Sequence, residues 1–185
     1  MRVISGIARG KKLVSIKGTS TRPTIDRVKE NLFNIIQFNI EDRQVADLFA
    51  GSGALVIECL SRGAKKGYFV EKNLEAMDVI KGNVQNCKFD EKTIEYLLMS
   101  YERALELFNR QKIKFDIIFL DPPYILKCFE EILEKIYEYQ LLNQNGIICI
   151  ETFRDNKIVI DETKYKIATE RNYGNVKIIV LIIKN

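Results

Sequence analysis

The tetrapeptide Asp121-Pro122-Pro123-Tyr124 has the residue types that most directly suggest chemistry. The Asp121 carboxylate and the Pro122 carbonyl can both accept hydrogen bonds from an NH₂ group, and proline stiffens the turn because its φ is fixed. Tyr124 offers a flat face on which a nucleobase could stack. An exocyclic amine held in this way has its lone pair aimed at an electrophilic methyl group, so positioning would supply much of the rate gain. The segment therefore predicts methyl transfer to an amine on an aromatic ring, and it leaves open whether Asp121 also takes the amine proton.

Two further segments predict a site for an adenosine-containing cofactor. The glycine loop, residues 47–53, reads DLFAGSG, and its glycines allow a tight turn and a close approach of the backbone to a ligand. The start of the following helix leaves backbone N–H groups unpaired. Glu71 ends the next predicted strand, about 20 residues later, where a carboxylate can accept hydrogen bonds from both ribose hydroxyls. The third glycine of a dinucleotide fingerprint would fall at Val56, so the pattern argues against NAD.

The alternation of segments from residue 44 onward predicts a fold that brings these residues to one edge of a sheet. Strand-like and helix-like segments alternate, which is typical of a mostly parallel α/β sheet that is buried on both faces. The predicted strands are 45–50, 67–71, 94–99, 115–121 and 146–152, and the predicted helices are 53–62, 73–87, 101–110 and a long one ending near 139. Segments 165–173 and 176–184 flank Gly174-Asn175 and predict an antiparallel hairpin. This Rossmann-like arrangement is typical of class I S-adenosylmethionine-dependent methyltransferases, whereas a dehydrogenase sheet would be parallel throughout.

The N-terminal part of the chain is strongly basic. Residues 1–29 carry eight Lys and Arg side chains and one acid, whereas the remainder carries 21 basic and 24 acidic residues. We expect residues 1–43 to form an RNA-facing extension, with a hairpin of strands 2–5 and 12–16 and a helix from an N-cap at Thr24 to about Phe38. Residues 44–185 would form the methyltransferase domain. Such a basic arm predicts binding to a polyanion. The predicted nucleic-acid contacts are Arg2, Arg9, Lys11, Lys12, Arg22 and Thr24.

Composition excludes several other function classes. The chain of 185 residues has no histidine, which removes Ser-His and Cys-His catalysis and most zinc chemistry. Its four scattered cysteines form no CxxC pair, so we expect reduced thiols and no metal site. There is no apolar run of about 18 residues and no signal-peptide pattern, so we expect a cytoplasmic protein without a membrane span. We also expect the protein to act as a monomer.

Several segments together resemble the RsmD family, bacterial methyltransferases of guanine N2 in small-subunit (16S) ribosomal RNA. The resemblance covers nearly the whole chain. Its segments are MRVISGIARGKKL, TRPTIDRVKENLFNI, VADLFAGSGALVIECLSRGA, FDIIFLDPPY and Tyr173-Gly174-Asn175. The combination of the RPT-x-DRV segment with DLFAGSGAL and DPPY is much more specific than any one of them.

The resemblance implies particular roles for the residues singled out above. S-adenosyl-L-methionine would be the cofactor, and residues 121–124 would present the guanine amine to it. The residues around Arg2, Arg9 and 22–24 would lie near the RNA, either ribosomal RNA itself or the small ribosomal subunit. The predicted cofactor-binding residues are Asp47, Phe49, Ala50, Gly51, Gly53, Glu71, Lys72, Ser100 and Tyr101.

The sequence departs from the family pattern at two positions. Relatives often have an acid after the third strand, where it can contact the adenine amino group, but this chain has Ser100 followed by Tyr101. A serine hydroxyl accepts a hydrogen bond more weakly than a carboxylate, so cofactor affinity could suffer. Val56 replaces a common small residue after the glycine loop, which we interpret as a packing change.

Three alternative functions fit parts of the sequence. A methyltransferase of another amine, such as adenine N6 in DNA or RNA or guanine N2 in tRNA, would share DPPY. An NAD-dependent oxidoreductase would use the glycine loop and Glu71, but it leaves DPPY and the basic arm without a role. A non-catalytic RNA-binding or assembly factor would not need an amine-holding turn.

Overall fold

The computed structural model describes residues 1–16, 23–123 and 128–184, apart from the side chains of residues 23–26. Its helices are α1 (Pro23–Ile36), α2 (Ala54–Ser61), α3 (Leu74–Cys87), α4 (Tyr101–Gln111) and α5 (Phe129–Glu138). Its strands are β1 (Gln44–Asp47), β2 (Lys66–Glu71), β3 (Ile94–Leu98), β4 (Phe115–Leu120), β5 (Leu142–Phe153), β6 (Tyr165–Tyr173) and β7 (Val176–Ile183). Short 3₁₀ turns occur at Gln37–Asn39 and Glu91–Thr93.

The strands form one twisted sheet in the order β3-β2-β1-β4-β5-β7-β6. Neighbours among β1 to β5 pair in parallel, and β7 pairs antiparallel with both β5 and β6. The predicted fold class, a mostly parallel sheet that ends in an antiparallel hairpin, is confirmed. The dehydrogenase alternative required a sheet that is parallel throughout, and β7 contradicts it.

Helices cover both faces of the sheet, because alternate strand residues point to opposite sides. On one face, Phe33 of α1, Ile57 of α2 and Ile80 of α3 pack in one buried cluster with Phe119 of β4. On the other face, α4 and α5 pack against the adjacent strand residue, Ile118. The near-continuous apolar strand sequences follow from this double burial.

Some boundaries differ from the sequence prediction. Helix α1 begins at Pro23, so Thr24 lies inside the helix and is not its N-cap. Proline suits this first position because its fixed φ matches the helix and its missing N–H has no intrahelical role there. Strand β5 begins at Leu142 and not at 146, because the polar stretch before Gly146 forms an irregularity with Asn145 at a φ of 65°.

The predicted strands 2–5 and 12–16 are wrong as regular strands. The N-terminal segment, residues 1–16, does fold back on itself, but its ladder is a single antiparallel bridge between Arg2 and Lys12. Side chains of α2 and α3 form hydrogen bonds with backbone groups of the segment that would pair with each other in a longer ladder. Glu58 accepts from the N–H groups of Ile4 and Ser5, and an asparagine of α3 pairs with the backbone of Val14.

The buried Glu58 carboxylate fixes this segment against α1 and α2. It is fully buried, and it accepts from Ile4 N–H at 2.8 Å and from Ser5 N–H at 3.0 Å. It also pairs with Lys29 Nζ at 3.2 Å and with Arg62 Nε at 2.9 Å. Lys29 is only 3% exposed and also donates to a backbone carbonyl, that of Arg2, at 2.8 Å. Lys29 is therefore a buried structural cation, although the sequence analysis included it among the basic residues of the RNA-facing extension.

Val56 is completely buried in α2, directly over Gly67 of β2. A Cβ on Gly67 would overlap the Val56 side chain. The larger residue in the helix is thus matched by the absence of a side chain on the strand, as expected for a packing change.

Replacing Glu58 by alanine is expected to lower the free energy of unfolding by about 3–5 kcal/mol, because it removes the carboxylate that compensates the charge of the buried Lys29 ammonium. Chemical denaturation monitored by circular dichroism measures this loss. Glu95→Ala is the matched control, because Glu95 pairs with Lys66 at the surface, and its loss should lower stability by about 0–1 kcal/mol. Equal losses in the two variants would contradict the structural role of Glu58.

Candidate active site

A cavity of about 470 Å³ opens at the carboxyl ends of the parallel strands. Ligands bind at this edge in open α/β sheets, because the strand-to-helix loops gather there. The volume falls within the range of small-molecule sites. Its lining residues are Ile16, Leu48, Phe49, Gly51, Val70, Glu71, Lys72, Met99, Ser100, Tyr101, Glu102, Asp121, Pro122 and Pro123.

Hydrogen bonds hold the glycine loop in register with β2. Ala50 N–H donates to the Val70 carbonyl at 2.9 Å, and Gly51 N–H donates to Glu71 Oε2 at 3.0 Å. The other carboxylate oxygen of Glu71 accepts from Asn73 N–H at 2.9 Å. Each oxygen keeps a further lone pair, so Glu71 can still accept from ligand hydroxyls while it shapes the loop.

The residues present fit an adenosine-containing cofactor. Gly51 has a φ of 53°, and a Cβ there would meet only the Phe49 carbonyl oxygen at 3.8 Å, so the backbone is open toward the cavity. The rings of Phe49 and Tyr101 pack with centroids 5.2 Å apart and form an apolar wall beside Glu71. An apolar aromatic wall next to a carboxylate suits a heterocyclic base attached to a ribose.

The first turn of α4 adds a carboxylate that the sequence analysis missed. Ser100 precedes the helix, and Glu102 lines the cavity with it. Burial raises the pKa of Glu102, but hydrogen bonds involving Ser100 and its own backbone outweigh this effect and leave the pKa below its ordinary value. Ser100 stands where relatives often have an acid, and Glu102, two residues later, supplies an ionised carboxylate to the same cavity.

Three carboxyl groups share one face of the sheet at the ends of β1, β4 and β5. Burial raises the pKa of Asp121 to about 6 and that of Glu151 to about 8, and the charges of Asp121 and Asp47 also raise the pKa of Glu151. Burial also raises the pKa of Asp47 to about 8. Crowding of these groups in a poorly solvated place favours protonation, so they do not all carry charge at neutral pH.

The structure brings most of the predicted site residues together. Asp121, Pro122 and Pro123 line the same cavity as the glycine loop, and Tyr124 lies outside the described residues. The cavity also includes Phe49, Gly51, Glu71, Lys72, Ser100 and Tyr101 from the predicted cofactor set.

Three predicted cofactor residues do not line the cavity. Asp47 is 2% exposed and supports the loop by accepting from Phe49 N–H at 3.0 Å. Ala50 is buried, and Gly53 packs against Phe69 at the start of α2.

The predicted RNA contacts lie on the N-terminal segment where they are described. Arg2, Arg9 and Lys12 are exposed, and Lys11 is half-buried. Arg2 and Arg9 line a groove of about 300 Å³ together with Glu30. Arg22 and the side chain of Thr24 lie outside the described residues.

Five lining residues and one neighbouring acid were missed by the sequence analysis. The lining residues are Ile16, Leu48, Val70, Met99 and Glu102. Glu151 ends no predicted motif, but it stands near the carboxyl end of the fifth predicted strand, and the rule that ligands bind at strand ends could have found it.

In the part of the chain that the structure describes, no cluster of three or more His, Cys, Asp or Glu residues could hold a metal ion, and no helix could span a membrane.

The sheet order, the glycine loop and the cavity together define a class I methyltransferase. The family model described as "Conserved hypothetical protein 95" matches residues 1–182. The chain belongs to this family, which is the RsmD family.

Individual relatives agree with this assignment over nearly their full lengths. The chain is 40% identical over 163 residues to "Putative rRNA methyltransferase YlbH" of Bacillus subtilis (strain 168), covering 88% of this chain and 87% of the relative. It is 35% identical to "Ribosomal RNA small subunit methyltransferase D" of Haemophilus influenzae, covering 94% and 89%. The solved structure "Putative methyltransferase yhhF from Escherichia coli" matches with a TM-score of 0.81 and 29% identity, covering 98% and 96%.

Replacing Asp47 by asparagine is expected to stabilise the ligand-free protein at pH 8 by at least about 1 kcal/mol, the equivalent of one pKa unit. The folded-state pKa of about 8 lies above the ordinary 3.8, so the folded protein retains a proton that the unfolded chain releases. Stability from this group is therefore present at low pH and lost as the pH rises toward 8. Asparagine removes that loss and can still accept from Phe49 N–H.

Denaturant titrations at pH 5 and pH 8 measure the difference. The gain should be smaller at pH 5, because stability from this group is then lost only over the interval between its ordinary pKa of 3.8 and that pH. Asp78→Asn, at an exposed position of α3, should change neither curve. A gain of equal size at both pH values would contradict the raised pKa of Asp47.

Proposed function

We propose that this protein transfers a methyl group from S-adenosyl-L-methionine to the exocyclic N2 amine of a guanine in small-subunit (16S) ribosomal RNA. The observation that carries the proposal is the placement of Asp121, Pro122 and Pro123 in the same cavity as the glycine loop and Glu71. The names of the Haemophilus influenzae and Escherichia coli relatives, "Ribosomal RNA small subunit methyltransferase D", support the small-subunit substrate.

The cavity residues divide into cofactor-holding and amine-holding groups. Glu71 would accept hydrogen bonds from the ribose hydroxyls, and the Phe49–Tyr101 wall would hold the adenine. The Glu102 carboxylate would accept a hydrogen bond from the adenine amino group. The open backbone at Gly51 would allow the ligand to approach closely. S-adenosyl-L-methionine supplies the methyl group when bound.

Asp121 and the Pro122 carbonyl would accept hydrogen bonds from the amine and orient its lone pair. Pro122 is buried and has a fixed φ, so the acceptor geometry is rigid before the substrate arrives. The raised pKa of Asp121, about 6, makes its carboxylate a better proton acceptor than an exposed aspartate while leaving it mostly ionised at neutral pH. Asp121 would therefore take the proton that the amine loses once it is methylated.

The exposed cations of the N-terminal segment would bind phosphates beside the cavity. Ile16 lines the cavity itself, so the segment that carries Arg2 and Arg9 also contributes to the cavity wall. This arrangement supports the division into an RNA-facing extension, residues 1–43, and a methyltransferase domain, residues 44–185. We also propose that the protein acts as a monomer, and the proposed substrate implies action in the cytoplasm.

Replacing Asp121 by alanine is expected to lower methyl transfer by at least about 100-fold, because the amine loses its charged acceptor. The assay is transfer of labelled methyl groups to small ribosomal subunits that lack their native modifications, followed by nucleoside mass spectrometry. Wild-type protein should produce N2-methylguanosine. Asp155→Asn, in the exposed turn after β5, is the matched control and should retain full activity.

The other outcomes of this assay each distinguish the proposed function from one alternative. Methylation of a different base would keep the fold and cofactor but would overturn the guanine assignment. Binding of S-adenosylhomocysteine without any transfer would favour the binding-factor alternative. Full transfer by Asp121→Ala would show that another group holds the amine.

Replacing Arg9 and Lys12 together by alanine is expected to weaken RNA binding and to reduce the slope of log K against log salt by about 0.7 for each lost phosphate contact. Filter binding to unmodified small-subunit ribosomal RNA at several salt concentrations measures the slope. The control pair Lys65→Ala and Lys114→Ala removes the same charge from exposed positions preceding β2 and β4, at the edge of the sheet opposite the cavity. An equal change in both double variants would contradict a specific role for the N-terminal segment.

A further inference from the structure

The amide of Asn83, on α3, makes three hydrogen bonds in a buried position where it is only 2% exposed. Its Oδ1 accepts from Val14 N–H at 2.8 Å, and its Nδ2 donates to the Val14 carbonyl at 2.9 Å. The same Nδ2 donates to the Ser52 carbonyl at 2.9 Å. The side chain thus pairs with Val14 as a neighbouring strand would and holds the glycine loop with its remaining N–H.

These bonds join two parts of the molecule that are far apart in sequence. Ser52 lies between the two glycines of the loop, next to the Gly51 N–H that Glu71 accepts. Val14 lies in the N-terminal segment, two residues before Ile16 in the cavity wall. A single side chain therefore bonds the glycine loop directly to the N-terminal segment.

Asn86 provides a natural comparison one helical turn further along α3. Its Nδ2 donates to the Lys12 carbonyl at 3.0 Å, at an exposed position. Asn86 therefore contacts the N-terminal segment as Asn83 does, but no hydrogen bond described for it reaches the glycine loop.

We infer that Asn83 is a positioning residue that couples the glycine loop to the N-terminal segment, so that cofactor binding stabilises the segment carrying Arg2, Arg9 and Lys12. The inference rests on the proposed cofactor site. Because such coupling is reciprocal, RNA bound to the segment would tighten cofactor binding by the same factor. The enzyme would then hold its RNA most firmly when the cofactor is in place.

An amide is the side chain that this position requires. The side chain must accept a hydrogen bond from one N–H group and donate hydrogen bonds to two carbonyls. The asparagine amide carries both the acceptor and the two donors. Aspartate keeps the acceptor but loses both donors, and alanine loses all three bonds. The cofactor site itself contains neither Asn83 nor Asn86, so cofactor binding and coupling can be measured separately.

Hydrogen exchange of the full-length protein, with and without saturating S-adenosylhomocysteine, tests the inference without any methyl transfer. Calorimetric titration first establishes saturation for each variant, and thermal unfolding establishes that it is folded. In wild-type protein the ligand should slow amide exchange in residues 1–16 by at least about fivefold. Asn86→Ala should keep this effect, whereas Asn83→Ala should bind the ligand and lose the effect.

The outcomes distinguish this inference from the proposed function. Ligand binding to wild-type protein without slower exchange in residues 1–16 overturns the coupling and leaves the cofactor site intact. Equal protection in Asn83→Ala and wild-type protein also overturns it. Absence of any binding to wild-type protein overturns the proposed function, and the inference with it. If Asn83→Ala does not fold, the uncharged Asn83→Ser replaces it, and the wild-type comparison remains decisive.

Discussion

The site depends on one geometrical constraint, the parallel direction of the five strands β1 to β5. Their carboxyl ends meet at one edge, so the loops that follow β1, β2, β3 and β4 enclose a single cavity. Each loop brings a different type of group: an open backbone at Gly51, an acceptor at Glu71, an apolar ring at Tyr101 and a rigid acceptor pair at residues 121–122. If neighbouring strands alternated in direction, the groups that follow β1 and β3 would lie at the opposite edge from those that follow β2 and β4.

The N-terminal segment is held to this frame by polar groups that are out of contact with water. Glu58 replaces a strand partner for Ile4 and Ser5, and Lys29 compensates its charge. A buried carboxylate with fewer partners would be unfavourable, so the segment, α1 and α2 depend on one another. This explains how a chain end with little regular secondary structure can form part of a cavity wall.

The sequence predicted those features that are encoded locally. Apolar strands that alternate with helices indicate a parallel sheet, and the rule for strand ends located Glu71 and Asp121. Features that depend on tertiary contacts were not predictable in this way. Nothing in the local sequence shows that Lys29 and Glu58 pair in the interior, so Lys29 was counted with the surface charges. The start of β5 was also not predictable from the local sequence, because most of its first residues are polar and its pairing with β4 is irregular.

The packing of Val56 on Gly67 constrains how relatives of this chain can diverge. The two positions share one volume between α2 and β2, so a small residue in the helix permits a side chain on the strand, and a large one forbids it. A lineage that exchanges one arrangement for the other must pass through an intermediate. Filling the strand first creates a steric overlap, whereas shrinking the helix residue first leaves a small void, which is the milder defect. The order of the two substitutions is therefore set by the contact itself.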